Sequence, residues 1–119
     1  MDRVRRPRLA TPAEERVAAA LGGCGLAWSY EPHRLVIARD ACGRVASACV
    51  PDFHVPALGV YLEVCEGSPR RLNRKRAKLR RLARAHPSVT VHLLGPREIA
   101  RLEAAPWPFL QELSQPRAA

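Results

Sequence analysis

Apolar and polar positions alternate in two rhythms along this chain, and the changes of rhythm mark its elements. TPAEERVAAALGGCG (11–25) puts Val17, Leu21 and Cys24 on one stripe at helical spacing. Its start is well punctuated: Thr11 is the N-cap, Pro12 takes the first helical position, and Glu14 falls at N3 to close a capping box. Gly22, Gly23 and Gly25 end it. Strands are predicted next at about 34–39, 45–53 and 59–65, with the DACG turn at 40–43 joining the first two. A second helix is predicted over about 71–85 and stopped by Pro87. SVTVHLL (88–94) reads as a buried fourth strand. Gly95 and Pro96 open a third helix, PREIARLEA, ended by Pro106.

The order α-β-β-β-α-β-α predicts an α/β fold. The first three strands form an antiparallel meander, and the fourth joins after a helical crossover, giving a mixed central sheet with helices packed on it. Three parts are expected: an arginine-rich arm over 1–10, a folded domain over 11–105, and a tail over 106–119 that docks Trp107, Phe109 and Leu110.

Charge narrows the function. The 119 residues carry a formal net charge of +9, and all basic residues but Lys75 and Lys78 are arginines. So basic a small domain favours an anionic partner, nucleic acid above all. Nine Lys or Arg residues fall between positions 70 and 84. Arg70, Arg71, Arg74, Arg80, Arg81 and Arg84 lie off the apolar stripe of that helix and, with Arg3, Arg5, Arg6 and Arg8 of the arm, can contact several phosphates. No helix-turn-helix, zinc-finger or RNA-recognition signature is present, so base-specific readout is not indicated. Cys24, Cys42, Cys49 and Cys65 fit neither a CxxC pair nor a zinc spacing, and scattered thiols without a signal peptide point to a reducing cytoplasm. No apolar run is long enough to span a bilayer.

The chemistry concentrates in VPDFHVPALGVYLEVCEG (50–67). Asp52 closes the second predicted strand; Glu63 lies within the third and shares a face with Tyr61 and Cys65. Pairing through the HVPALG loop would let the two acids approach each other at one end of the sheet. Adjacent carboxylates repel and are costly to desolvate, and a hard cation such as Mg²⁺ resolves both problems. Spacing alone equally allows Asp52 as a turn residue and Glu63 as a half-exposed strand residue. Glu14, one turn before Val17, could complete an acidic cluster or serve only its cap. Lys75 falls inside the stripe of Leu72, Leu79, Leu82 and Ala83, whereas Lys78 and Arg80 do not. It either meets a carboxylate or phosphate there or snorkels past the sheet edge. His33, His54, His86 and His92 have no evident nucleophile partner, although His54, near Asp52, could line such a site.

A helix with Glu14, the PDF of 51–53, the strand YLEV and the basic helix that follows resemble the PD-(D/E)xK, or restriction-endonuclease-like, nuclease superfamily. Within it the likeness is to phage endonuclease I-type Holliday-junction resolvases, over roughly residues 11 to 95. The resemblance implies a restriction-endonuclease-like mixed sheet, metal-ligand roles for Asp52 and Glu63, an acidic site role for Glu14, and Mg²⁺ or Mn²⁺ as cofactor. The superfamily's lysine falls on Cys65, where the match breaks. Some members place that lysine on the neighbouring helix, which suits Lys75; others have lost catalysis and keep the fold for binding. The function implied is a metal-dependent DNA endonuclease, with a catalytically inactive module that binds nucleic acid or a partner protein as the alternative. Junction-resolving members work as dimers, and apolar residues at the chain's end could make a homodimer interface.

Overall fold

The structure, a computed structural model, describes residues 9–114. Arg3, Arg5, Arg6 and Arg8 of the arm and the last five residues of the tail lie outside the described residues. The elements are α1 (Pro12–Gly23), β1 (Ser29–Tyr30), β2 (Leu35–Arg39), β3 (Val45–Cys49), β4 (Phe53–Val55), a 3₁₀ turn (Pro56–Leu58), β5 (Val60–Val64), α2 (Pro69–Ala85), β6 (Val91–Leu94), α3 (Pro96–Ala104) and α4 (Pro106–Ser114).

The fold is mixed α/β with two sheets. The main sheet has the order β1-β4-β5-β6, antiparallel except for the parallel β5–β6 pair. The hairpin β2–β3 forms a second, two-stranded sheet. Its turn is the predicted one: Asp40 Oδ1 accepts the N–H groups of Cys42 and Arg44, and Gly43 takes the positive φ of 82° that this tight turn requires. His86, at the C-cap of α2, bonds through Nε2 to the Val36 carbonyl at 2.6 Å and ties the hairpin to that helix.

The predicted three-strand meander does not form. The run 45–53 is broken at Val50–Asp52, and its two parts join different sheets. Pro51, buried and without an N–H, cannot continue the ladder, so the chain bends there and restarts as β4. Part of the expected HVPALG loop is therefore strand, and Gly59 (φ 67°) closes the turn into β5. The two-residue β1 carries too short a pattern to be read from sequence. SVTVHLL yields an edge strand with Val91, His92 and Leu93 only half-buried, because no strand among the described residues covers its far side.

Strand alternation divides the work of the main sheet. Phe53, Val55, Val60 and Leu62 cluster with Val17 and Leu21 of α1, Ile99 and Leu102 of α3, and Phe109 and Leu110 of α4. Each such side chain contributes roughly 1.5–3 kcal/mol by leaving water. The tail is thus a docked helix, but Trp107 is 46% exposed and does not take part in the docking expected of it. The opposite face carries Tyr61 and Glu63 toward α2. No helix among the described residues is long and apolar enough to cross a membrane.

Phe53 is fully buried and Trp107 half-exposed. Phe53→Ala is expected to cost about 3–5 kcal/mol in urea unfolding, whereas Trp107→Ala should stay within about 0.5 kcal/mol of the unsubstituted protein.

Candidate functional site

The β4–β5 register, Phe53 opposite Leu62 and His54 opposite Tyr61, brings Asp52 beside Glu63 one step further along. The bend at Pro51 orients Asp52, and its backbone and side chain are held from three sides. Its N–H donates to Glu63 Oε1 at 3.1 Å, its Oδ2 accepts the Val64 N–H at 2.8 Å, and its carbonyl accepts the Glu31 N–H at 2.8 Å. Glu31 adopts a positive φ of 46° to reach it, a conformation that costs a non-glycine residue about 1 kcal/mol.

Glu63 is only 4% exposed. From α2, the Lys75 ammonium donates to its Oε2 at 2.7 Å. The lysine on the apolar stripe therefore meets a carboxylate rather than solvent. Burial lowers the Lys75 pKa, but the hydrogen bond and charge of Glu63, with smaller help from Asp52 and Cys49, leave it above its ordinary value.

Asp52 is displaced far more. Burial, then the neighbouring Glu63 charge, pushes its pKa up to about 8, with the bond to Glu63 and the charge of Glu14 adding and the Val64 N–H opposing. At neutral pH a proton on Asp52 is therefore favoured, beside the Lys75 ammonium. Among the described residues no buried side-chain polar atom lacks a partner.

Glu14 is buried, but its carboxylate is engaged elsewhere. Oε1 accepts the Tyr30 hydroxyl and the Ala10 N–H. Burial first, then Glu14, raises the Tyr30 pKa. Thr11 caps α1 by accepting the Glu14 N–H at 3.1 Å, yet the reciprocal half of the predicted capping box goes to Ala10 rather than Thr11. Among the described residues no three His, Cys, Asp or Glu side chains are grouped to hold one ion. The protein donors that could hold a metal are the pair Asp52 and Glu63, and a Mg²⁺ ion is commonly held by one or two carboxylates plus substrate phosphates.

Cys65 is 2% exposed, its thiol directed to the Glu66 carbonyl at 3.6 Å. Cys49 lies close by, its thiol pKa raised by burial and by Glu63 while Lys78 and Lys75 oppose. The other neighbours are aromatic. His54 stacks at a tilt on Tyr61 with ring centroids 4.5 Å apart, and His33 bonds to the Tyr61 hydroxyl at 2.7 Å. His54 and Tyr61 occupy the next same-face row of the β4–β5 ladder. Strand alternation made Tyr61 legible in the sequence. The approach of His33, Tyr30 and Cys49 depends on chain crossings that no local pattern reports.

The basic residues of α2 divide between its flanks. Arg71, Arg74, Lys75 and Lys78 line a depression of about 250 Å³ on the helix surface, with Lys75 linking it to Glu63. Lys78, expected off the inner stripe, is half-buried there. Arg76, Arg80 and Arg84 border a separate groove against β6. Arg70, Arg71, Arg74, Arg80, Arg81 and Arg84 are all exposed, and among the described residues Lys75 is the one basic residue of α2 with an acidic partner.

The Asp52 shift makes stability depend on pH. Its folded pKa lies above its unfolded value of about 3.9. Its contribution is therefore fully present below about pH 4 and lost as pH rises through about 8. Asp52→Asn removes that loss while keeping an acceptor for Val64. The variant should match the unsubstituted protein near pH 4 and exceed it at pH 9 by about 1–2 kcal/mol after allowing for solvent screening. Urea unfolding across this range reads it directly.

In comparison with known proteins, the chain matches no family model, no curated protein and no solved structure.

Proposed function

We propose that this protein is a metal-dependent DNA endonuclease of the restriction-endonuclease-like type, its reaction centred on Asp52, Glu63 and Lys75. The observation that carries the reading is the Lys75 ammonium reaching, from a different element, a carboxylate pair that holds a proton in place of a second charge. A hydrolytic phosphodiester site needs this inventory: two hard oxygen donors and a cation beside them. Mg²⁺ or Mn²⁺ bound by Asp52 and Glu63 would polarise the phosphodiester and lower the pKa of a water bound to it.

The chain's own residues supply the rest. Asp52 would give up its proton to serve as a ligand. Lys75, drawn from Glu63 toward the phosphate, offsets the negative charge that builds as the phosphodiester is attacked. Arg71, Arg74 and Lys78 hold the flanking phosphates beside the centre, while Arg70, Arg81 and the outer arginines steer DNA to it. Glu14 acts through charge at most, since its carboxylate is held by Tyr30.

One observation favours a second reading, a catalytically inactive module that binds nucleic acid. Cys65, at the usual lysine position, is buried.

Incubation with branched, nicked and linear DNA separates the readings. Cleavage is expected in Mg²⁺ or Mn²⁺, and at metal concentrations below saturation it should rise with pH as Asp52 gives up its proton. Lys75→Ala should lower the rate by about 10²–10³ while DNA affinity stays within about twofold, with circular dichroism confirming that the variant is folded. No cleavage of any substrate by the natural sequence, with activity created by Cys65→Lys alone, would establish the inactive module instead.

Binding has its own test. Alanine at Arg74, Arg80, Arg81 and Arg84 should weaken DNA affinity about equally across sequences and reduce the salt slope by about 3–4. Unchanged binding would place the interface on another surface.

A further inference from the structure

The main sheet ends in an open edge. Among the described residues β6 pairs with β5 alone, and residues 89–93 line a groove of about 810 Å³ that runs between that edge and α2. Tyr61 and Cys65 of the β5 segment donate to the Thr90 and Leu94 carbonyls. By the alternation of a parallel ladder, Val91 and Leu93 then direct their N–H and C=O groups away from β5. Outside the sheet these backbone groups have no hydrogen bond among the described residues. Leu79 and Leu82 of α2 supply apolar floor, and the C-terminal end of α4, at Leu113 and Ser114, forms the far wall.

Arg76, Arg80 and Arg84 border this groove, all exposed and without an acidic partner among the described residues. They recur every four residues, a rise of about 6 Å on a helix. Same-side residues of an extended strand recur every two residues, at about 6.7 Å. A strand added to β6 would therefore present its α2-facing side chains nearly in step with the three guanidinium groups.

Charge selects the occupant. A second copy pairing β6 with β6 would bring three more unpaired arginines to the same edge. The chain's own ends fit no better: residues 1–8 hold four arginines against Asp2, and residues 115–119 hold Arg117 and no acid. A DNA strand offers phosphates to the arginines, but its deoxyribose-phosphate backbone has no donor for the Val91 and Leu93 carbonyls. An edge guarded by arginines rejects a basic strand and favours an acidic one.

We propose that the β6 edge together with Arg76, Arg80 and Arg84 is a docking site for an extended acidic segment of a partner protein, which joins the main sheet as a fifth strand with carboxylates at alternate positions facing α2. The site lies on the flank of α2 away from the carboxylate pair and does not rest on the nuclease reading.

The test uses the full chain and a fluorescein-labelled peptide of four Glu-Val repeats flanked by serine. Controls are the matching Lys-Val peptide and a thymidylate octamer. The Glu-Val peptide is expected to bind with an affinity that falls with salt, and the Lys-Val peptide not to bind. The Arg76→Ala/Arg80→Ala/Arg84→Ala variant should lose about tenfold in affinity, whereas Arg71→Ala/Arg74→Ala/Lys78→Ala should change it less than about twofold. Bound peptide should slow hydrogen exchange at the Val91 and Leu93 amides. Three results each overturn the proposal: affinity unaffected by the first triple variant, no added protection at Val91 and Leu93, or displacement of the peptide by the thymidylate octamer with protection of the same amides. The last would make the groove a nucleic-acid track.

Discussion

Two carboxyl groups face each other across one end of an antiparallel strand pair, and burial together with their mutual repulsion disfavours charging Asp52. This constraint organises the site. Asp52 keeps its proton, Glu63 keeps Lys75, and the Val64 and Glu31 N–H groups fix Asp52 between them. Each partner comes from a different segment, so the loop after β1, the bend before β4, strand β5 and helix α2 are held in mutual register by a few polar contacts. Breaking one leaves a buried charge or donor without its partner, which costs more than the contact itself contributes.

The sheet can carry such a centre because its two faces are independent. Phe53, Val55, Val60 and Leu62 bury against α1, α3 and α4 and supply the hydrophobic stabilisation. The other face, spared that duty, holds Glu63, Tyr61 and His54 between the sheet, α2 and the hairpin. The strained φ of Glu31 and the raised pKa of Asp52 are local costs that the apolar layer offsets.

Helix α2 is the element that both flanks share. Its inner stripe carries Lys75 to the carboxylates. One flank extends that depression with Arg71, Arg74 and Lys78, and the other sets Arg76, Arg80 and Arg84 along the open edge of β6. A helix of 17 residues without a single acid cannot neutralise itself through i,i+4 pairs, so its charge is directed outward, to whatever anion binds.

Features set by neighbours in the chain were legible in the sequence. The N-cap Thr11 rests on a local hydrogen bond, as does the Asp40–Gly43 turn, whereas the Ser68 cap, which starts α2 two residues before the expected boundary, went unread. The intrusion of Lys75 into an apolar stripe is a matter of helical periodicity, and the nearness of Asp52 to Glu63 needs only adjacent strands. The sequence by itself determined the α/β class, the cationic helix and the residues that meet at the centre. Only the tertiary structure decided that 45–53 divides between two sheets, that Glu14 turns to Tyr30, that Trp107 stays in water while Phe109 and Leu110 dock, and that β6 is left with an open edge. Those outcomes depend on which distant segments compete for the same surface. A strand's partner and a side chain's last hydrogen bond are chosen by packing across the fold, and no period along the chain encodes that choice.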